Sequence, residues 1–242
     1  MSDTADRGVR PGLPVRRVEG LTDALFAIVM TLLVLSIEVP NIPDGRIDSE
    51  LTKDVFDLWP QFFSYFLTFA ILGFHWIAHH HIYNYLRYSN RTLIWINFGY
   101  LMFIALLPFS TNLIGDYPRQ QISVLLYGGN LLLISLFLEL QWWYASRGMR
   151  LIDPNLPPGT VRQVTIRTFV SPAGFIVALG VSFISPYLSI AVFVLIVLMH
   201  IVAHYISMRR THAAAIAAGR TYMEAAEVSA VSGARPAEQR EG

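Results

Sequence analysis

Six of the seven histidines lie in or beside apolar stretches of the sequence, and the spacing of four of them suits a metal ion. His75 and His79 are four residues apart, as are His200 and His204, so on a helix each pair would share one face. Two imidazoles at this spacing are a frequent ligand pair for zinc and other transition metals. Metal chemistry is therefore the first hypothesis to weigh.

The segment around the first pair, HWIAHHH at positions 75–81, resembles a histidine box of the membrane di-iron desaturases and hydroxylases. Those enzymes carry three such boxes, and this sequence has no third one. Polar side chains of membrane helices commonly hydrogen-bond across a helix bundle instead. We therefore predict no enzyme, no metal and no cofactor, and keep a histidine-box membrane metalloenzyme as an alternative.

A second chemical signal is the carboxylate of Asp23, which stands just inside the first apolar stretch. An ionised carboxylate there costs several kcal/mol unless a partner offsets it, so it usually marks a function or a polar network. On a helical wheel Asp23 lies roughly opposite an apolar stripe. The stripe comprises Leu21, Leu25, Ile28, Leu32 and Leu35. We expect Asp23 to face neighbouring helices, and the stripe to face lipid, another subunit or an aqueous path.

The composition is that of an integral membrane protein. Of 242 residues, 54% are hydrophobic and 14% are charged, whereas soluble domains have about 25% charged residues. The net charge is +1 and the basic residues are scattered, so nucleic acid is not a predicted partner. The absence of cysteine excludes disulfides and thiolate-bound metals.

The elements that must hold these side chains are six apolar stretches, each long enough to cross about 30 Å of hydrocarbon as a helix. They cover approximately positions 21–39, 55–78, 92–109, 122–144, 164–184 and 185–206. Prolines are expected at or near the span ends, where a missing N–H is tolerated. These are Pro40, Pro60, Pro108, Pro118 and Pro186. The sequence predicts an all-α, polytopic fold with six transmembrane helices, a break in the fifth at Pro172, and a tight hairpin between the last two.

The placement of arginine predicts the orientation in the membrane. Both tails, the second connection and the fourth connection are rich in arginine, and the positive-inside rule assigns such segments to the cytoplasm. The arginines are Arg7, Arg10, Arg16, Arg17, Arg87, Arg91, Arg147, Arg150, Arg162, Arg209 and Arg210. The first connection is acidic instead, with Asp44, Asp48, Glu50, Asp54 and Asp57. Both termini are therefore predicted to be cytoplasmic.

Three parts are expected along the chain. Residues 1–15 form a polar N-terminal tail, and residues 16–207 form the six-helix membrane domain. Residues 208–242 form a C-terminal tail that is expected to be partly helical and then disordered, because it is polar and carries Gly233 and Pro236.

The start of the first span carries a family resemblance. Arg17, three intervening residues and the tripeptide Leu-Thr-Asp at 21–23, followed by an apolar run, are similar to the Arg-x-x-x-Phe-Ser-Asp signature of the transmembrane protein 175 family of potassium channels. Here Leu21 replaces the phenylalanine and Thr22 the serine. Further along, Trp76-x-x-His79-His80 is similar to the family's Trp-x-x-His pattern. Asn97 and the end of the third span at 107–109 also resemble the family.

The resemblance implies a homotetramer in a cell membrane that conducts potassium ions through a central pore lined by the first helix of each subunit. The implied pore constriction consists of Ile28, Thr31, Leu32 and Leu35. The implied polar network, which would hold the first helix in place, consists of Arg17, Thr22, Asp23, Trp76 and His79 or His80. The stripe found on the helical wheel agrees with this constriction. The sequence has no Thr-Val-Gly-Tyr-Gly filter loop, so any selectivity would arise at the narrow apolar constriction, with nearby hydroxyls and the helix geometry contributing.

Three questions stay open at the level of sequence. Asp23 and the histidines could relay protons in a proton-coupled carrier, although the chain shows no inverted repeat. Asp23 could pair with His79 or with His80. Glu139, in the apolar fourth span, could pair with Arg167 or lie near the interface.

Overall fold

The computed structural model describes residues 14–157, 159–203, 205, 206 and 209. The predictions for the N-terminal tail up to residue 13, for His204 and for residues 210–242 lie outside this range. The chain divides into two units, Met1–Val197 and Leu198–Gly242, and each is described by itself. In the second unit, the guanidinium of Arg209 lies 4.8 Å from the centre of the Tyr205 ring. Everything that follows concerns the first unit, apart from the last turns of α8.

The described part of the chain is built from helices. They are α1 (Val15–Leu32), α2 (Ile47–Asp57), α3 (Trp59–Tyr83), α4 (Arg91–Ala105), α5 (Leu107–Asp116), α6 (Gln121–Ser146), α7 (Thr160–Ser182) and α8 (Pro186–Ala203). Among the described residues, six helical stretches are long and apolar enough to cross a membrane: α1 with its 3₁₀ extension, α2–α3, α4–α5, α6 with the turn after it, α7 and α8. The predicted all-α fold with six spans is confirmed.

The first span starts earlier than predicted. α1 begins at Val15, so Arg17 and Glu19 lie within the helix and not before it. Arginine can extend along a helix toward the interface, which allows the helix to continue through charged positions. At its other end the chain tightens into a 3₁₀ turn, Leu33–Ser36.

The prolines show where sequence reasoning set the span ends wrongly. Pro108 lies inside the third span, in the first turn of α5, and the span continues to Asp116. Pro60 likewise occupies the first turn of α3. Because a first-turn residue has no N–H partner in its own helix, proline allows a short break between two helices of one span. Pro172 does not end α7, which is helical on both sides of it.

The core lies where α3, α4, α5 and α6 pack together, and polar side chains join α3 to α6. Three hydrogen-bonded pairs lie along this contact. They are Thr68 with Tyr127 at 2.9 Å, His75 Nε2 with Ser135 Oγ at 3.0 Å, and the Tyr83 hydroxyl donating to Gln141 Oε1 at 2.8 Å. The two members of each pair are 59, 60 and 58 residues apart, so α3 and α6 run parallel and in register. Buried polar groups in hydrocarbon need such partners, and the pairs fix the helix against which α1 packs.

The last two spans form the expected tight hairpin. Three residues separate Ser182 at the end of α7 from Pro186 at the start of α8. The Ser189 hydroxyl donates to the carbonyl oxygen of Ala178 at 2.7 Å. A methyl group at Gly174 would lie 2.9 Å from the terminal methyl of Ile196, so the glycine allows the two helices to approach closely and a larger residue would force Ile196 to shift.

Candidate functional site

One face of α1 is packed against the protein and the opposite face is open. The buried residues recur every three or four positions and are Val18, Thr22, Phe26, Val29 and Leu33. They pack against α3 and α4. This spacing defines a single helix face, and the side chains on the other half of α1 are largely exposed. Four residues of the apolar stripe are exposed there, Leu21, Ile28, Leu32 and Leu35, whereas Leu25 is half-buried and packs against the core.

Asp23 is held at the edge of the packed face by a tryptophan. The indole Nε1 of Trp76 on α3 donates a hydrogen bond to Asp23 Oδ1 at 2.8 Å. The partner of Asp23 is therefore an indole and not one of the imidazoles considered from the sequence. The Trp76 ring lies parallel to His80, with the centroids 6.0 Å apart, and His80 Nδ1 lies 4.0 Å from Glu19 Oε1. A tryptophan can reach a carboxylate and still cover apolar surface, which suits a position at this depth.

A second hydrogen-bonded attachment of α1 starts at Thr22, the residue before Asp23. The Thr22 hydroxyl donates to the backbone carbonyl of Val18 at 3.0 Å and accepts from Asn97 Nδ2 at 3.1 Å. Asn97 Oδ1 lies 3.2 Å from His79 Nε2. The three side chains form a line from α1 through α4 to α3 when His79 Nε2 carries the proton. Adjacent residues of α1 are thus attached to α3 twice, once directly and once through α4.

The imidazole of His79 is fixed by aromatic rings as well as by Asn97. Its ring centroid lies 3.9 Å from that of Tyr83 and 5.6 Å from that of Tyr100, and all three side chains are buried. The Tyr83 hydroxyl is held by α6 through Gln141, and the Tyr100 hydroxyl donates to the His75 carbonyl at 3.3 Å. This packing leaves His79 little freedom, so it can set the position of Asn97 and through it Thr22.

The structure brings together five of the six residues predicted for the polar network and adds one. Arg17 is exposed, and its side chain forms no hydrogen bond or ion pair with the others in the described part of the chain. Asn97 was noted for its resemblance to the family and not as a member of the network. Its signal in the sequence was an amide in the middle of an apolar stretch, which must find partners once buried.

The predicted constriction residues all lie on the open half of the first span. Ile28 is 54% exposed, and Leu32, Leu35 and Thr31 are exposed as well. The Thr31 hydroxyl donates to the Ile28 carbonyl at 2.7 Å, so it is engaged with its own helix. Leu35 falls in the 3₁₀ turn, and the rises of the two helix types place it about 12 Å from Ile28 along the axis, with Leu32 about halfway between them.

His75 and His79, the first pair with metal-ligand spacing, bond to different helices. The two ring nitrogens of His75 bond to Ser135 on α6 and to the Ile71 carbonyl, whereas His79 bonds to α4. Among the described residues, no group of three metal-binding side chains comes together. Glu139 is half-buried, and it forms no ion pair with Arg167 or with any other described residue.

The fold and site define a multi-pass membrane protein whose first span is attached by polar side chains on one face and open on the other. Residues 17–108 match the family model described as the endosomal/lysosomal potassium channel TMEM175. A potassium channel of Streptomyces collinus is 30% identical over 179 residues, which cover 72% of this chain and 85% of that one. The human endosomal/lysosomal proton channel TMEM175 is 30% identical over 139 residues, 54% of this chain and 28% of the human one.

A solved structure has the same fold. The crystal structure of a lysosomal potassium-selective channel TMEM175 homolog from Chamaesiphon minutus superposes with a TM-score of 0.68 at 28% identity, over 77% of this chain and 96% of that one. The chain belongs to the TMEM175 family, and the resemblance seen in the sequence is confirmed. Because this is a family of ion channels, the enzyme alternative is set aside.

Proposed function

We propose that the chain is a potassium channel in which four copies surround a central pore with their first spans. The names of its relatives support a channel for potassium or a related cation. The observation that carries the proposal is the arrangement of α1. One face is attached to α3 and α4, and the other presents Ile28, Leu32 and Leu35 to the outside of the chain.

In this proposal the exposed side chains form the narrowest part of the pore. Four Ile28 side chains make one apolar ring, and Leu32 and Leu35 make further rings about 6 and 12 Å along the axis. Branched side chains at this spacing strip part of the hydration shell from an ion and can close the pore by dewetting. Thr31 lies beside the rings and its hydroxyl can exchange its backbone bond for contact with an ion.

The polar attachments of α1 would keep these rings in place. A pore-lining helix has no protein on its pore side, so its rotation must be fixed from behind. Thr22 and Asp23 supply two hydrogen bonds on adjacent residues, and their partners sit on different helices. Two attachment points that diverge in this way resist rotation of α1 about its own axis better than apolar packing alone.

The proposed setting is a cell membrane with both termini in the cytoplasm. The arginines after α3 and after α6 lie at the same end as the start of α1, whereas the acidic helix α2 follows the other end of that span. This asymmetry supports the positive-inside assignment. The acidic side chains of α2 would then face the outside and raise the local concentration of cations.

The experiment that tests the proposal is ion flux into liposomes that contain the purified protein. A potassium gradient should drive a larger flux than an equal sodium gradient, and planar bilayers should show unitary currents. In mild detergent the particle should have four times the 27.3 kDa mass of one chain. An active particle of one chain's mass would exclude the central pore.

A second candidate is proton transport, either through the same pore or by a proton-coupled carrier. It is favoured by the name of the human relative and by the buried line of Thr22, Asn97 and His79 beside Asp23. Flux driven by a proton gradient in the absence of potassium shows whether the protein conducts protons as well as potassium ions. Carrier activity would give a fixed ratio of protons to potassium and no unitary currents, whereas a channel gives a ratio that follows the gradients.

A further inference from the structure

The turn that follows α6 has an unusual backbone. After Ser146 the chain forms a short 3₁₀ turn, Arg147–Met149, in which Gly148 has φ of 65°. The next residue, Met149, has φ of 53°, and it is the one residue other than glycine with a positive φ in the described part of the chain. Side chains rarely adopt this conformation, which persists only where the surroundings impose it. The turn is therefore held in one shape.

The surroundings that impose this shape are hydrogen bonds to the turn's backbone. The Tyr88 hydroxyl donates to the Arg150 carbonyl at 2.8 Å, and the N–H of Leu151 donates to the Ala145 carbonyl at 3.0 Å. The Leu151 carbonyl accepts from the N–H of Arg87 at 2.9 Å. The turn is thus fixed to α6 on one side and to the connection between α3 and α4 on the other.

Two arginines project from the turn, and each lies over an aromatic ring. The Arg147 guanidinium is 4.9 Å from the centre of the Trp143 ring, and that of Arg150 is 4.7 Å from the centre of the Tyr144 ring. The Tyr144 hydroxyl accepts a hydrogen bond from Asn90 Nδ2 at 2.8 Å, which holds that ring. Arg150 also bonds to the Tyr144 hydroxyl. Stacking of this kind orders an arginine, and the remaining N–H groups at the edge of each guanidinium can donate to a ligand.

Neither guanidinium is neutralised by a carboxylate. Both side chains are exposed, and neither forms an ion pair with any described residue. Between residues 141 and 163 the sequence contains one acidic residue, Asp153, whose Oδ1 accepts from the N–H of Asn155. Among the residues that the structure describes, two ordered positive charges are therefore left without a negative partner.

Apolar surface adjoins the two charges. Trp143 and Met149 are about half exposed, and they belong to the last turn of a membrane span and to the turn that follows it. Aromatic side chains are typical of the level at which headgroups begin. A ligand that satisfied the whole surface would be anionic at one end and apolar at the other.

We propose that this turn binds an anionic phospholipid, with Arg147 and Arg150 donating to its phosphate and with Trp143 and Met149 against the acyl chains. The planar guanidinium matches two oxygens of one phosphate, and two of them can hold a single headgroup. The orientation of the protein in the membrane is an alternative explanation for arginines in this connection, but the positive-inside rule requires only that they lie somewhere within it. It does not explain why both arginines stack on aromatic rings and project from a turn with a left-handed backbone. The proposal does not depend on which ion the protein conducts.

The test is binding of phosphatidylglycerol to the full-length protein in detergent, measured by native mass spectrometry, with phosphatidylcholine as the neutral lipid. The double substitution Arg147→Gln with Arg150→Gln should weaken phosphatidylglycerol binding by about tenfold and leave phosphatidylcholine unchanged. The matched control is Arg162→Gln with Arg167→Gln, which removes the same charge from exposed positions of α7 at the same end of the span. It should weaken binding by less than about twofold.

Other outcomes would overturn the proposal. Equal losses in the two double variants would mean that net charge alone attracts the lipid. No loss in the first would mean that the turn is not the site. If inorganic phosphate displaced phosphatidylglycerol at equal molar concentration, the site would be one for free anions. Should the glutamine variant misfold, Arg147→Lys with Arg150→Lys keeps the charge, and a loss of at least threefold is expected because lysine cannot form the planar contact.

Discussion

Two spans of this protein, α1 and α8, have much the same exposure and different attachments. Both are strongly apolar. Only 28% of the residues in the apolar stretch of α1, and 22% of those in α8, are buried within the chain. α8 is held by close packing, with Phe193 set edge-on against Tyr127 at 5.3 Å and Ile196 against Gly174. α1 is held by hydrogen bonds from Trp76 and Asn97 as well.

The difference teaches how exposed apolar surface in a membrane protein can be interpreted. Lipid contacts an apolar helix equally well at many rotations, so a helix that faces lipid needs no directional bonds. A helix that must present particular side chains to a pore needs its rotation fixed. The hydrogen bonds on Thr22 and Asp23 supply that restraint for α1, whereas α8 is bonded near its start, by Ser189 to its hairpin partner and by Tyr187 to Arg119. We infer that the open face of α1 meets other subunits and the pore, and that of α8 meets lipid.

The largest effect is expected on the packed face of α1. Val29 is 2% exposed, so Val29→Asn buries an amide without a partner and should cost about 2–5 kcal/mol. Assembled protein should be lost, as measured by yield and by the melting temperature. On a helical wheel Val29 lies about 100° from Ile28, so the sequence alone suggests that Val29→Asn would not affect conduction and could be a control for Ile28→Asn. Because Val29 is buried, its substitution is expected to destabilise the protein, and it cannot be that control. A stable Val29→Asn variant would contradict the assignment of the two faces.

Removing one attachment of α1 should have the next largest effect. Asp23→Ala leaves the Trp76 N–H without its acceptor and should cost about 1–3 kcal/mol, with a fall in the fraction of tetramer. Ser189→Ala, which removes the side-chain bond between α8 and α7, should cost about 1 kcal/mol and leave assembly intact. Size-exclusion chromatography with light scattering measures the fraction of tetramer for both variants. A normal Asp23→Ala tetramer with normal conduction would show that the attachment is dispensable.

The two attachments can be compared directly. Asn97→Ala separates Thr22 from His79 and should cost about 1–3 kcal/mol, since both partners stay buried. If the connections through Trp76 and Asn97 jointly fix the rotation of α1, the double variant with Asp23→Ala should depart from additivity by at least about 0.5 kcal/mol. Thermal unfolding of the four proteins completes the cycle. Strict additivity would mean that each attachment acts alone.

The smallest effect is expected at the acidic connection after α1. Neutralising Asp48, Glu50, Asp54 and Asp57 together should lower potassium conductance roughly twofold at low salt and leave it unchanged at high salt, because exposed charges are screened over about 8 Å at physiological ionic strength. Arg119, which donates to Tyr187 on α8, is the control, and Arg119→Gln should change nothing. The same loss at every salt concentration would exclude an electrostatic cause.

The sequence predicted the features that depend on periodicity and missed those that depend on neighbours. Six spans and the open stripe on α1 follow from hydropathy and a helical wheel. The wheel separates Asp23 from the stripe, but it cannot tell which side chain of another helix comes within 3 Å. The family resemblance placed Trp76 in the network, but the pairing of Asp23 was expected with His79 or His80 and is instead with Trp76. Arg17 was assigned to the network by family resemblance, and its exposure leaves that role a hypothesis. Pro108 was placed at a span end because sequence alone does not distinguish a break from an end.

The central claim is that the open face of α1 lines the conduction path and that of α8 faces lipid. It is tested most directly by the potassium-to-sodium permeability ratio of Ile28→Asn and Leu195→Asn, measured in one bilayer system. Both residues are exposed near the middle of their spans, at 54% and 63%. We predict that Ile28→Asn raises the current and lowers the ratio by roughly five- to tenfold, about 1–1.4 kcal/mol between the two ions. Leu195→Asn should leave the ratio unchanged. An unchanged ratio in Ile28→Asn, or equal changes in both, would contradict the account.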